Sequence, residues 1–498
     1  MAAVTIRGIE NVSGVGCHLS CAIVLLAYTI TPCAECLVEI LTCHEQALAK
    51  TTEDTNLELV VDPEYESLLE LSRLLVKMTR DIKEEDAATT KAVDPTKVYY
   101  SFQQQCNPYE LGDATRAMSM ILKKIRSVFA NVDETATNDA TTEAKQTFRT
   151  LYDLLFGGSM QQELMGRQSV LEKNGDNHNE STTSTNQQQR MRRKRKLITL
   201  PCPFPLDGLN CDSFTCALQT ALEPTTVKGY KWDGNRNNYE EWTETGHTNT
   251  KSSSDWHTTK QLSFHGKLPI YLLFHLGRFK LENGRMKASA NVVDVPLTMT
   301  LKSHHGDENE TGASSYTPFK LMGGILHADE GDKDDMDYEG GHYIAICRQD
   351  QSSSDTWCLI NDERVRTVSE SQALDLLAGR PETLSNSFSM RGNLLIYAQS
   401  EPQQITTTQA LQTQFQQSMR LAAELGCSIL PTTIKTNKHE ERPEDLVGRR
   451  LRVQWAKGKF YPGKVTSYNP STGKHSVEYD DGDVREYRLH KKTIEWEE

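Results

Sequence analysis

Long apolar runs are missing from this chain. The longest near its start, Cys21–Ile30, is about ten residues, half of the ~20 that a membrane-spanning helix needs, and the layout of a signal peptide is absent too. An intracellular protein with no membrane partner is expected. A positive balance is also missing: 55 Lys+Arg against 68 Asp+Glu give a formal net charge of -13. That excludes general binding of nucleic acid or anionic lipid by the whole surface and favours a protein partner, with local nucleic-acid contact allowed but not favoured. The twelve cysteines lack the dense spacing of a secreted disulfide framework and read as reduced thiols. No internal repeat is present.

What is there is an ordinary soluble composition, 37% apolar and 25% charged. The mean hydropathy of -0.57 points to polar insertions. At 498 residues the chain exceeds one compact core and suggests two to four domains. Apolar residues at helical spacing follow Cys17, which itself follows the Gly14-Val15-Gly16 stretch and so sits at a loop-to-helix junction. Amphipathic helices are expected over Asp62–Asp86, Asp113–Phe129 and Thr147–Phe156. A polar run at 174–189 leads into the basic cluster Arg190–Lys196, and 173–197 is expected as a disordered insertion. The cluster reads equally as a nuclear localisation signal or a solvated charge run.

Short β-rich runs follow, Leu268–Phe274, Asn291–Leu297, Tyr343–Cys347, Trp357–Ile360 and Leu394–Ala398. Helices first and strands later indicate an α+β architecture. Residues 401–444, rich in Gln, Thr and Glu with one helical stretch near Gln409–Leu425, read as a polar linker. Residues 445–498 return to short strands.

Thiol attack on an amide needs a thiolate, a His to make it, a third group to hold the imidazole, and donors for the oxyanion. A helix N-terminus both favours the thiolate and supplies backbone N–H groups, which is the setting of Cys17. Arg7–Leu26 reads RGIENVSGVGCHLSCAIVLL and resembles the Cys box of ubiquitin-specific proteases, matching it at Gly8, Ile9, Asn11, Gly14 and Cys17. YEGGHYIAICR at Tyr338–Arg348 resembles the His box, and DTWCLINDERV at Asp355–Val365 the strand that ends in Asn or Asp followed by Asp. KLPIYLLFHLGRFK at Lys267–Lys280 and Asp113-Ala114 before a helix continue the likeness, as do Val293–Pro296 and Leu321–His327. It covers Arg7 to about Gln399.

The resemblance implies a papain-like catalytic domain over 1–400 with a helical thumb and a β-rich palm and fingers. Cys17 would be nucleophile, His342 base, Asn361 the residue orienting the base, Asp362 its polar support and Asn11 an oxyanion donor. Gly340 and Gly341 would let the backbone approach a narrow substrate tail. Asn11 stands six residues before Cys17 where the family has five, and His18 replaces the usual aromatic. Two Cys-x-x-Cys pairs often hold zinc in the family; here Met165 and Gln168, then Tyr230 and Trp232, occupy those places, so no metal or cofactor is expected. The implied substrates are ubiquitin and ubiquitinated proteins. The alternative is a weak or inactive ubiquitin-binding scaffold.

The last 53 residues hold a dense set of aromatics and eleven Lys+Arg against eight Asp+Glu. VGRRLRVQW and KFYPGKVTSYNPSTGKHSVEYDDGD resemble Tudor domains, which implies a small all-β barrel. By that likeness Trp455, Tyr461, Tyr468 and Tyr479 would line a cage for a methylated ammonium group, with Asp481 or Asp483 on its rim and Phe460, Tyr487 and Trp496 in the core. A methylated histone or other methylated protein is the implied partner, and nucleus and/or cytoplasm the expected location.

Overall fold

The stretch CHLSCAIVLLAY carries no Asp, Glu, Lys or Arg, so a helix made from it has no face to offer water. In the structure, a computed structural model, it is helix α1 (Cys17–Tyr28), and all twelve of its residues are buried. The structure describes residues 6–496 apart from 56–58, 80–91, 107, 109, 111, 130–139, 172–183, 197–199, 204–212, 227–255, 283–284, 289–291, 305–313, 331–340, 350–354, 381–387, 401, 435–445, 455–458, 471, 490–491 and 493. The chain divides into one unit of Met1–Lys50 with Val61–Pro431 and a second of Thr51–Val60 with Thr432–Glu498.

After α1 come α2 (Thr31–Thr55), α3 (Glu66–Thr79), α4 (Thr96–Phe102), α5 (Ala114–Ser127) and α6 (Ala140–Phe156). Helix α5 shows why the sequence is helical here. Asp113 caps it by accepting the Arg116 N–H at 2.7 Å; Ala114, Ala117, Met118, Ile121, Leu122 and Ile125 recur three and four apart and are buried, and Lys124 and Arg126 close its last turn. The helix expected over 62–86 is a short 3-10 turn, Pro63–Tyr65, followed by α3; residues 80–86 lie outside the described ones.

The strands follow, with α7 (Phe214–Leu222), α8 (Glu370–Ala378) and α9 (Pro402–Glu424) among them. In chain order they are β1 (Leu59–Val61), β2 (Ser159–Leu171), β3 (Ser184–Lys196), β4 (Leu200–Pro203), β5 (Thr225–Thr226), β6 (Trp256–His265), β7 (Tyr271–Gly277), β8 (Phe279–Glu282), β9 (Arg285–Ala288) and β10 (Thr298–His304). Next are β11 (Ser314–Glu330), β12 (Gly341–Arg348), β13 (Thr356–Asn361), β14 (Arg364–Ser369), β15 (Phe388–Gln399) and β16 (Thr432–Ile434). The main sheet runs β14-β13-β12-β11-β10-β6-β2-β3, with β15 bridging β11 and β7. Strand β11 is its hub: its first half pairs β10, its second half β12, and β15 lies along it.

At β12 the sheet buries both faces. On β12, Tyr343, Ala345 and Cys347 join a core shared with the helices, while Ile344 and Ile346 join a second core on the other side with Trp357, Phe274 and Tyr397. That alternation is the two-residue period of a strand covered on both sides. Helix α1 lies against the first face, so the helix that starts with Cys17 and the strand carrying His342 share one core.

Three expectations are corrected. Residues 401–444 are not simply a polar linker: α9 buries Phe415, Met419, Ala422 and Ala423, and Ile429 and Leu430 after it are buried too. The Phe415 ring stacks on Phe148 at 5.1 Å. Gln and Thr made the segment read as polar, but its few apolar residues fall three and four apart on one face. Within the insertion expected at 173–197, Ser184–Lys196 is strand β3, paired antiparallel with β2; ladder bonds form between backbones and need no apolar side chain. Asn291–Leu297 is not a strand in its described part, since only Asp294 makes an isolated bridge, to Ser213, while Val293 and Val295 are buried.

In the second unit, β17 (Arg450–Gln454), β18 (Phe460–Asn469), β19 (Lys474–Tyr479), β20 (Val484–Tyr487) and β21 (Ile494–Trp496) form one antiparallel sheet in the order β20-β19-β18-β17-β21. Leu451, Val453, Val465, Val477, Tyr479 and Leu489 fill its core. A bulge between Val465 and Ser467 bends β18.

Candidate active site

Cys17 is the first residue of α1, whose N-cap is Gly16 with no side-chain capping bond. The first-turn N–H groups of such a helix lie beside the thiol, and the positive end of its dipole favours an anion there. The Cys17 sulfur accepts the Tyr343 N–H at 3.4 Å. His342, the neighbour of Tyr343 on β12, turns Nε2 to Asn361 Oδ1 at 2.7 Å and lies 3.6 Å from Asp362 Oδ2. Its hydrogen bond with Cys17 therefore uses the other ring nitrogen, Nδ1. That contact is the chief reason the imidazole is pushed up to about 9; burial opposes it, and Asn361 and the Asp362 charge assist. The raised imidazole is thus placed to carry a proton beside the Cys17 sulfur.

Asn361 ends β13 and Asp362 turns the chain with φ of 51°, a left-handed geometry that Asp tolerates better than most residues. The N-terminal segment packs against this turn. Ile9 N–H donates to the Asp362 carbonyl at 3.0 Å, and Glu10 N–H to Val93 at 3.0 Å. The segment thereby delivers Asn11, whose Nδ2 donates to Asp362 Oδ2 at 3.1 Å and whose Oδ1 accepts the Gly16 N–H at 3.3 Å. Burial pushes the Asp362 carboxyl up, against the opposing effects of His342 and Asn11.

The extra residue between Asn11 and Cys17 is taken up in a turn. Gly14 N–H bonds the Asn11 carbonyl at 3.1 Å, and Gly14 has φ of 74°, which glycine adopts without a steric penalty. Asn11 stays within the network despite the altered spacing, and its amide is already engaged by Asp362. Gly341 also answers to its geometry, because a Cβ there would lie 1.8 Å from His327 Nε2. Gly340 lies outside the described residues.

The structure thus brings Cys17, His342, Asn361, Asp362 and Asn11 into one connected set. Two members went unnoticed in the sequence. Tyr343 contributes a backbone N–H, for which its place beside His342 was the signal. Tyr99 is fully buried, donates to the Gly16 carbonyl at 3.1 Å and meets Ser20 Oγ at 2.6 Å; nothing in the sequence marked it.

The aromatic residues named for the second unit are not brought together in the same way. Tyr479 is 4% exposed, in the core, and its hydroxyl donates to Tyr487 at 2.9 Å. Tyr461 is 38% exposed, and Tyr468 is half-buried with its ring 4.6 Å from His475. Trp455 lies outside the described residues. Asp483 pairs with Arg485 at 2.7 Å. Of the residues expected inside, Phe460, Tyr487 and Trp496 are half-buried, and Arg449 lies over the Trp496 ring at 4.4 Å.

No group of three His, Cys, Asp or Glu among the described residues could hold a metal ion. Met165 and Gln168 on β2 cannot supply zinc thiolates; Tyr230 and Trp232 lie outside the described residues. Cys33 and Cys36 are both buried in α2, and burial pushes both thiols up, Cys33 to about 12.

A buried helix-start cysteine and a strand histidine held by Asn are the arrangement that thiol attack on an amide requires. Residues 7–397 match the family described as ubiquitin carboxyl-terminal hydrolase, and the chain belongs to that family. Residues 448–491 match the PTM/DIR17-like Tudor domain. A 118-residue stretch is 32% identical to human ubiquitin carboxyl-terminal hydrolase 21, covering 23% of this chain and 18% of that protein. A 54-residue stretch is 43% identical to the Arabidopsis thaliana DNA mismatch repair protein MSH6, covering 11% of this chain and 4% of that protein. The chain spans less than a fifth of the length of these curated relatives. Among solved structures, it is similar to the SAGA Ubp8/Sgf11/Sus1/Sgf73 DUB module bound to ubiquitin aldehyde at 16% identity and a TM-score of 0.46, over 80% of this chain and 70% of that one.

Proposed function

We propose that the protein is a thiol-dependent deubiquitinase that cleaves the bond after ubiquitin's C-terminal glycine. The observation that carries this reading is the contact chain from Cys17 through His342 to Asn361, built on a family member's fold. The Cys17 thiolate adds to the scissile carbonyl, and backbone N–H groups at the start of α1, with the free hydrogen of the Asn11 amide, receive the oxyanion. Imidazolium His342 gives its proton to the departing amine, the tetrahedral adduct collapses to a thioester, and neutral His342 then draws a proton from water as it attacks that thioester. Asn361 holds Nε2 throughout, so that Nδ1 stays aimed at sulfur. Asp362 stabilises the imidazolium and orients Asn11.

In this reading the catalytic unit extends through Pro431, and the 445–498 unit recruits it to a methylated protein, a histone among the candidates, in the nucleus or cytoplasm. Its support is the Tudor match and the exposed Tyr461; with Tyr479 in the core, the cage would draw on Trp455, Tyr461 and Tyr468.

The test is incubation of full-length protein with a ubiquitin C-terminal electrophile, wild type beside Cys17→Ala, read by intact mass. One adduct per chain, lost in the variant, is expected. A folded wild type that forms none would favour the non-catalytic ubiquitin-binding scaffold.

A further inference from the structure

His18 follows the nucleophile and is 1% exposed. Its Nδ1 lies 3.2 Å from the Val15 carbonyl oxygen. A carbonyl only accepts, so Nδ1 carries the hydrogen. Burial pushes this imidazole below its ordinary value, against the smaller opposing effects of Val15 and Asp113, and the ring is therefore the neutral Nδ1–H tautomer. Nε2 is then a bare acceptor, and it is buried without a partner among the described residues.

Gly112 makes this arrangement fit. A Cβ at position 112 would lie 2.5 Å from Nε2 and 2.6 Å from Cδ2 of His18, so the ring occupies the space of the missing side chain. Gly112 precedes Asp113, the cap of α5. On the other side of the loop Ser13 Oγ donates to Pro108 at 2.7 Å. The imidazole is wedged between the nucleophile loop and the start of α5 and spends its one hydrogen on Val15.

Val15 matters because its carbonyl oxygen is also the acceptor facing the Cys17 sulfur, at 4.0 Å. A neutral thiol can donate weakly to that oxygen. A thiolate cannot, and two electron-rich atoms then face each other. The N–H of His18 keeps the carbonyl satisfied and fixed in direction when the thiol proton is gone.

We propose that His18 is a positioning residue for Cys17, holding the Val15 carbonyl so that the 13–17 loop keeps the geometry of the reactive thiolate, with Gly112 as the space that admits its ring. The proposal rests on the reading of Cys17 as the nucleophile. It assigns a hydrogen-bonding task to a position where an aromatic hydrocarbon could offer only packing.

The test uses full-length protein and compares His18→Asn with His18→Leu, two side chains of nearly one shape. The Asn amide can donate to Val15 and Leu cannot. The rate of Cys17 alkylation by iodoacetamide at pH 7 is read by mass of the peptide carrying residue 17, and kcat and KM are read on a ubiquitin C-terminal fluorogenic amide. His18→Leu is expected to slow alkylation about fivefold, the size of one lost hydrogen bond, and to lower kcat by a similar factor with KM unchanged. His18→Asn is expected to stay within about twofold of wild type. Equal losses in the two variants would reduce His18 to packing and overturn the proposal, as would a folded His18→Leu protein with wild-type alkylation. His18→Phe beside His18→Asn repeats the comparison should the Leu protein fail to fold. Alkylation needs no ubiquitin, so fast labelling of Cys17 in a wild type that cleaves no ubiquitin would fault the deubiquitinase reading and leave this one standing.

Discussion

The two sets of residues singled out in this chain behave in opposite ways. Cys17 lies more than 300 positions before His342 and Asn361, and the three converge within hydrogen-bonding reach. Trp455, Tyr461, Tyr468 and Tyr479 lie within 25 positions of one another, yet one is in a core and another is exposed. The difference lies in what each side chain must do. A base and its orienting amide have directional needs that only a few geometries meet, whereas a tyrosine is equally at home in a small core or on an open face.

Replacing Tyr479 by Ala sharpens the contrast most. Loss of a buried aromatic and of its bond to Tyr487 is expected to cost the second unit about 3 kcal/mol, seen as a lower unfolding midpoint in denaturant. A change within experimental error would return Tyr479 to the surface set.

Asn361→Ala tests the converging set. Without the amide, His342 loses its fixed tautomer, and kcat is expected to fall by a factor of order 10². The same change removes one of the contacts that raise the imidazole. On the proposed mechanism, which needs the imidazolium, wild-type activity is expected to persist at neutral pH and decline as pH rises through about 9; in Asn361→Ala the decline should begin at lower pH. The sign for stability is the same, because a histidine raised from 6.5 to about 9 stabilises the fold fully below 6.5 and loses that contribution as pH climbs through 9. A variant whose alkaline limb does not move would break the link between Asn361 and His342.

The smallest effect is expected from Tyr461→Ala. An exposed side chain should change stability by no more than about 0.5 kcal/mol, while binding to a methyl-lysine peptide array, if this face recognises such a group, should drop. Unchanged array binding would leave the converging set as the chain's sole recognised chemistry.

The sequence carried the converging residues because their boxes are continuous: a glycine-rich loop before an apolar helix, and a Gly-His-Tyr start to a branched apolar strand. It also carried the order of helices and strands, since the three-to-four period of α5 and the alternation of β12 are local facts. It did not carry the role of α9, whose apolar residues are diluted by Gln and Thr and make sense only against Phe148. Nor did it carry the pairing of β3, because ladder bonds are made by backbones and leave no mark on composition. The engagement of Asn11 by Asp362 depended on Ile9 and Glu10 docking between Val93 and Asp362, a contact no spacing rule reaches.

The packing of α9 has a consequence for how the chain comes into being. Helix α2 is made long before α9: His44 on it waits for Ser428, its partner at 2.7 Å and 384 positions later, and the Phe148 ring waits for Phe415. The part of the early helices' hydrophobic face that α9 covers therefore stays open until residues 402–430 have been translated. Until then the exposed surface is prone to aggregate, and any message truncated before residue 430 would yield a product that keeps Cys17 but cannot close the core behind it.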